Sequence, residues 1–169
     1  MVRKINVLLV KHSETDGLTI NEIIKLKQQY WPYSYENQIV WMNNNLNKDD
    51  HHLIIKNNDN EGIIAYLNLI NVKVNGVPFF GIGNVCVDKN FIGKGIGTLL
   101  INISKYYSQQ FCLDMILLCK KDLIDFYKKC GFYPYNGNVY INGILFNNTA
   151  MFLNNKLDLD KSIFIDKNF

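Results

Sequence analysis

The stretch Asn84-Val85-Cys86-Val87-Asp88-Lys89-Asn90-Phe91-Ile92-Gly93-Lys94-Gly95-Ile96-Gly97-Thr98-Leu99-Leu100 decides the fold. An apolar strand runs into a glycine-rich turn, and the turn opens an amphipathic helix. The first N–H groups of a helix have no partner within it and point outward, so this order builds a cradle for phosphate. Glycine lets the backbone come close to a ligand.

Around this segment the pattern is regular. Ile5 to Val10 reads as a strand, and Thr19-Ile20-Asn21-Glu22 as a helix start with Thr19 as its cap. A second short helix is expected over Glu36 to Leu46, then a strand over His52 to Lys56 between turns at Lys48-Asp49-Asp50 and Asn57 to Asn60. Two long strands, Ile63 to Val74 and Val77 to Val87, are joined by Asn75-Gly76, a two-residue hairpin signal. Ile96, Leu99, Leu100, Ile103 and Tyr107 recur at helical spacing, which carries the next helix to about Gln110. Met115 to Cys119 suits a strand buried on both faces. Leu123, Tyr127 and Cys130 share one helical face, and Gly131 is placed to end that helix in a left-handed cap. Asn136-Gly137, Asn142-Gly143 and Ala150 to Leu153 predict antiparallel strands in the tail. The strand–helix–strand crossover in the middle makes Val77 to Val87 parallel to Met115 to Cys119. The expected fold is α/β, a mixed, mostly antiparallel central sheet with helices on both faces.

Bulk composition narrows the function. The 169 residues fit one domain, with a hydrophobic fraction of 48% to fill a core. The net charge of +3 is spread along the chain and forms no polybasic block, which argues against a nucleic-acid partner. The apolar run at the N-terminus is interrupted by Asn6 and is short for a signal peptide. No stretch is long enough for a membrane span, so a cytoplasmic location is expected. Cys86, Cys112, Cys119 and Cys130 form no C-x-x-C pair and no zinc pattern, so reduced, mostly buried thiols and no metal are expected.

Two nucleotide motifs fail on the glycine turn. A P-loop needs Ser or Thr after Gly93-Lys94, where Gly95 stands, and a dinucleotide fingerprint needs glycine where Thr98 stands. The segment Asp88 to Leu100 instead resembles the acyl-CoA pyrophosphate loop of the GNAT superfamily (general N-acetyltransferases), [QR]-x-x-G-x-[GA]. Gly95 and Gly97 fit its last glycine positions. Phe126-Tyr127-Lys128-Lys129-Cys130-Gly131-Phe132 resembles the family's second signature, a tyrosine followed four residues later by Gly-Phe. The strand order agrees, so the resemblance covers nearly the whole chain as a single domain, residues 1–169. One departure is Ile92, where the family carries Gln or Arg.

The resemblance implies direct transfer of an acetyl group from acetyl-CoA to a primary amine. Ile92, Gly93, Lys94, Gly95, Ile96, Gly97 and Thr98 would hold the pyrophosphate, mainly through backbone N–H groups. Val85, Cys86 and Val87 would lie along the pantetheine arm, with an N–H near Val87 aimed at the oxyanion. Tyr127 would protonate the leaving thiolate; its ordinary pKa of about 10 lies above a thiol's value of about 8.5, so positioning matters more than acidity. Relatives often carry a carboxylate on the strand before the loop, but here Gly81, Gly83 and Asn84 stand there. His52 is the first candidate for the base, with His51, Asp49 and Glu36 as alternatives. Cys119 ends a strand near the expected thioester, but as a buried structural thiol rather than a nucleophile. The acceptor would be a small-molecule or peptide amine, between the early helices and the Tyr135 to Asn148 tail. Many relatives dimerise, so a homodimer is one assembly the resemblance implies. The alternative function is a non-catalytic acyl-CoA sensor or interaction module with the same fold.

Overall fold

The structure, a computed structural model, describes residues 4–58, 62–154 and 161–169. These residues form two compact units. One comprises the described residues up to Leu69 together with Asn84–Ile101, and the other Ile70–Gly83 together with the described residues from Asn102 to Phe169.

In the first unit, strands β1 (Ile5–Lys11) and β2 (His51–Asn57) pair antiparallel, and β2 pairs antiparallel with the first part of β3 (Ile63–Val74). Leu53, Ile54, Ile55, Ala65, Tyr66, Leu67 and Leu69 are buried without remainder, as their unbroken apolar runs require. Each such Leu or Ile contributes about 1.5–3 kcal/mol of hydrophobic stabilisation. Helix α1 (Gly17–Lys27) packs Ile23, Ile24 and Leu26 inward, and α2 (Tyr35–Asn45) buries Met42. The caps differ from the expected ones. Asp16 caps α1, accepting from the Thr19 N–H at 2.8 Å and from the Thr19 hydroxyl, so Thr19 is the third residue inside the helix. A carboxylate there also meets the positive end of the helix dipole, an advantage a hydroxyl lacks. Ser34 caps α2, which begins at Tyr35, one residue before the expected start. Of the expected turn at Asn57 to Asn60, residues 59 and 60 lie outside the described residues.

Strand β4 (Val77–Val87) follows β3 through Asn75-Gly76, whose φ values of 49° and 80° are those of the predicted hairpin turn. In the second unit, Phe79–Ile82 of β4 run parallel to β5 (Asp114–Cys119), with Gly81 beside Ile116. The predicted crossover is therefore present, with α3 (Ile96–Gln110) between the two strands in the chain. Helix α4 (Ile124–Lys129) ends as its glycine predicts. Gly131 has φ 90°, its N–H reaches the Lys128 carbonyl, and the Phe132 N–H reaches the Tyr127 carbonyl.

The tail departs from the simple antiparallel expectation. It contains β6 (Tyr133–Pro134), β7 (Val139–Ile141), β8 (Ile144–Leu145), β9 (Thr149–Phe152) and β10 (Ile163–Ile165). β9 pairs antiparallel with both β5 and β6, but β10 runs parallel to β7 and antiparallel to β3. Asn142-Gly143 makes a tight hairpin between β7 and β8, as its sequence says. Asn136-Gly137 does not. A Cβ on Gly137 would fall 2.7 Å from the Tyr135 ring and 2.8 Å from the Lys161 carbonyl, so this glycine serves a close approach.

Gly131→Ala keeps the chain composition nearly constant but forces a side chain into the left-handed region. It is expected to lower stability by about 1–2 kcal/mol, read by urea denaturation; an unchanged midpoint would remove the cap from the account of α4.

Candidate functional site

The glycine turn has the form the sequence calls for. The Asp88 N–H donates to the Ile64 carbonyl, which ends the pairing of β4. The Asp88 side chain then accepts from the Asn90 N–H at 2.9 Å and starts a single 3₁₀ turn, Lys89–Phe91. Gly93 and Gly95 both have φ 77°. A side chain at either would meet nothing within 4 Å, so the glycines are needed for backbone conformation and leave open space above the turn. The Leu99 N–H makes the bond to the Gly95 carbonyl at 3.0 Å. The N–H groups of Ile96, Gly97 and Thr98 precede that bond and have no partner in their own helix, so they form the open end of α3. The Lys94 N–H, by contrast, is directed at the Phe91 carbonyl at 3.4 Å, and the Lys94 ammonium donates to the Asn90 carbonyl at 2.6 Å. Ile92 is 59% exposed and extended, an apolar side chain at the lip of the turn.

The residues after α1 hold this turn from one side. The Gln29 amide donates to the Asp88 carboxylate at 2.8 Å and accepts from the Lys89 N–H at 3.0 Å. The Tyr30 hydroxyl donates to the Val87 carbonyl, and the Lys89 ammonium lies over the Tyr30 ring. Gln29 carries no motif signal, since a glutamine just past the end of an amphipathic helix is ordinary. Only the tertiary structure reveals it as a clamp.

A buried row of polar side chains crosses the strands of the same unit. His52 on β2 is fully buried, directly opposite Asn68 on β3. Its Nδ1 lies 2.7 Å from the Tyr66 hydroxyl and 3.2 Å from the Asn68 amide nitrogen, and its Nε2 lies 3.0 Å from Nδ1 of half-buried His12. The Asn84 amide donates to the Asn68 carbonyl oxygen at 2.9 Å. Asn84 itself sits at φ 53°, which breaks the alternation of β4 just before Val85. With Tyr66 and Asn68 both donating to Nδ1, the single ring proton of His52 belongs on Nε2, facing His12. Burial, then the positive fields of His12, Lys27 and His51, pushes His52 down to about 3.

Val85, Cys86 and Val87 lie in this unit with the turn and with His52. Burial raises the Cys86 thiol to about 12, so at neutral pH it is uncharged and unreactive. Lys27 is almost wholly buried, with its ammonium 4.4 Å from the centre of the Trp41 ring, and burial lowers it to about 8. His51 is also buried, and desolvation lowers its pKa. Asp49 pairs with Lys11 at 3.0 Å on the surface, and Glu36 lies in the first turn of α2.

Tyr127 belongs to the second unit. It is 6% exposed on α4, edge-on to Phe126 and Phe132. Burial, then the fields of the Cys119 and Cys130 sulfurs, moves its phenol well above the ordinary value, so it stays protonated at all physiological pH values. Cys119 is buried with its Sγ 3.6 Å from the Met151 sulfur, and burial pushes it up to about 11. Its burial is the one expected of it.

The polar row makes stability depend on pH in a definite direction. Below about 6.5 the unfolded chain protonates His52, while the folded chain resists down to about 3. Stability therefore falls as the pH drops through that window, by at most about 1.4 kcal/mol per pH unit from this site, with His51 adding in the same direction. His52→Gln should flatten the slope between pH 7 and 5.5 in urea titrations. A slope equal to that of the unaltered chain would show that His52 is not held neutral.

Comparison with known proteins agrees with this geometry. No curated protein matches the chain in sequence. Its structure is similar to that of Escherichia coli ElaA, with a TM-score of 0.68 at 18% identity, covering 88% of this chain and 98% of that one. It is also similar to the Escherichia coli GNAT family N-acetyltransferase YhbS in complex with CoA, with a TM-score of 0.64 at 15% identity over 97% of this chain and 92% of that one. A Brucella melitensis GNAT family acetyltransferase in complex with acetyl-CoA gives 0.60 at 16% identity, over 94% of each chain. These likenesses establish the fold. The family model for GNAT acetyltransferases matches residues 20–132, a span that takes in both the glycine turn and Tyr127. The chain belongs to the GNAT acetyltransferase family.

Proposed function

We propose that the chain is an N-acetyltransferase that moves an acetyl group from acetyl-CoA to a primary amine by direct attack on the thioester, and that residues 1–169 act as one such domain. The observation that carries this reading is the turn itself: two glycines at φ 77° leading into the open N-terminus of a fifteen-residue helix. Such a turn suits a diphosphate because backbone N–H groups and the helix dipole attract anions together. Its fit does not depend on a side chain at position 92, so Ile92 removes one anchoring group without removing the cradle. The N–H groups of Ile96, Gly97 and Thr98 are the strongest donors in this proposal, with Gly93 and Gly95 shaping the turn. Lys94 contributes through its charge, since its N–H is directed at Phe91. The donor's arm then runs back along Val87, Cys86 and Val85, whose neutral thiol does not compete for the acyl group.

Tyr127 is the general acid of this mechanism. Its raised pKa keeps the proton on the phenol until a thiolate forms beside it, and makes the donation depend on close positioning. His52 has too little basicity to hold a proton taken from an ammonium ion. With its Nε2 proton directed at His12, it suits passing a proton along the polar row. Acetyl-CoA acts as cosubstrate, a small-molecule or peptide amine as acceptor, and the cytoplasm as location; two copies of the chain form the proposed homodimer.

The sensor reading has two specific observations in its favour: both ring nitrogens of His52 are already engaged, and no carboxylate stands at Gly81, Gly83 or Asn84. Release of free thiol from acetyl-CoA with a panel of primary amines decides between the two. Turnover supports the enzyme; tight binding by calorimetry without turnover on any amine supports the sensor. In the enzyme, Tyr127→Phe should lower kcat by about 10²-fold and leave acetyl-CoA affinity within about twofold. An unaffected kcat would strip Tyr127 of its role. Gln29→Ala should weaken acetyl-CoA binding by about tenfold, the scale of one lost charge-assisted hydrogen bond, and an unchanged Kd would show that the clamp does not govern the turn.

A further inference from the structure

Lys27, the last residue of α1, is a charged side chain that is only 2% exposed. Its ammonium lies 4.4 Å from the centre of the Trp41 ring on α2. Cys86 on β4 and His52 on β2 are its electrostatic neighbours. All four residues belong to the same compact unit.

None of these neighbours is an anion at neutral pH. The Cys86 thiol, pushed up to about 12 by burial, is uncharged. His52 is neutral, with one ring nitrogen facing His12 and the other facing Tyr66 and Asn68. The face of Trp41 attracts a cation, but it is no substitute for a carboxylate that accepts hydrogen bonds. Glu22 on the same helix pairs with Lys56 instead, at 2.9 Å, and Asp16 caps the far end. Among the described residues, no carboxylate and no hydrogen-bond acceptor pairs with the Lys27 ammonium. Folded chains rarely bury a charge in this way, because its desolvation is then offset by too little. Burial lowers Lys27 to about 8, so at pH 7 it still carries its proton.

We propose that Lys27 anchors a binding site for a small organic acid, whose carboxylate pairs with the buried ammonium beside the face of Trp41. The charge selects the ligand class. One ammonium balances one negative charge, and a phosphate dianion would bring a second into a site with no further cation beside it. A carboxylate oxygen accepts a charge-assisted hydrogen bond from the ammonium, and the Cys86 thiol is a weak donor in the same neighbourhood. Trp41 and the buried thiol favour an organic anion over a strongly hydrated halide. The site uses a side-chain charge where the glycine turn uses backbone N–H groups, and it stands whether or not the chain transfers acetyl groups. An anion beside the ammonium stabilises the protonated form. Binding therefore holds while Lys27 is charged and weakens as the pH rises through about 8.

Tryptophan fluorescence reads the site, because the chain has two tryptophans and Trp31→Phe leaves only Trp41. Sodium acetate is titrated into the Trp31→Phe chain in place of sodium chloride, at constant ionic strength and without acetyl-CoA, at pH 7 and at pH 9.5. A saturable change in the millimolar range is expected at pH 7, with affinity weaker by about tenfold or more at pH 9.5. Adding Lys27→Met, which puts an uncharged chain among the same neighbours, should abolish the response. A flat or unsaturable signal at pH 7 overturns the site. Equal affinity at the two pH values overturns it too, as does an undiminished response in the Lys27→Met chain. Should that variant fail to fold, the two pH arms decide alone.

Discussion

One constraint organises the first unit: β4 must leave its sheet at Asp88, turn twice through left-handed backbone, and start a helix within eight residues. Hydrogen bonds from neighbouring elements make that path rigid. Ile64 ends the strand pairing, Asp88 starts the 3₁₀ turn, and Gln29 grips the turn by one side chain and one backbone group. If the turn were free to sample other conformations, its donors would have to be ordered on binding, and that ordering would subtract from affinity. Preorganisation therefore comes from the segment just after α1, which has no ligand contact of its own in this scheme.

The fold was legible wherever local chemistry decides the outcome. Asn75-Gly76 and Asn142-Gly143 are turns because few other residue pairs take two positive φ angles. Gly131 ends α4 for the same reason, and the crossover rule puts β4 beside β5. The sequence was less informative where distant residues decide. Asp16 and Thr19 are both good caps, and the choice of the carboxylate depends on where the helix begins to pack. The parallel pairing of β7 with β10 joins segments that share no local signal. Gly137 looked like a turn residue and is a packing residue, set by the Lys161 carbonyl far along the chain.

The site divides in the same way. The glycine turn and the Tyr127 segment are contiguous motifs and could be read directly. His52 was legible as a strand histidine, but its partners come from two other parts of the chain, His12 after β1 and Tyr66 and Asn68 on β3, and no spacing rule joins them.

The polar row also has a direction. Asn84 gives a hydrogen to Asn68, Asn68 gives one to His52, and His52 gives one to His12, so each amide and ring is oriented by the one before it. Aspartate tolerates the left-handed backbone at position 84 nearly as well as asparagine does. It has no hydrogen to give, however. With aspartate there, the Asn68 amide would turn end for end to meet it, presenting its oxygen to His52, and the imidazole would answer by moving its proton from Nε2 to Nδ1. A single atom exchanged on β4 would thus reverse the polarity of the whole file and change what His12 offers to the solvent, with no strand displaced.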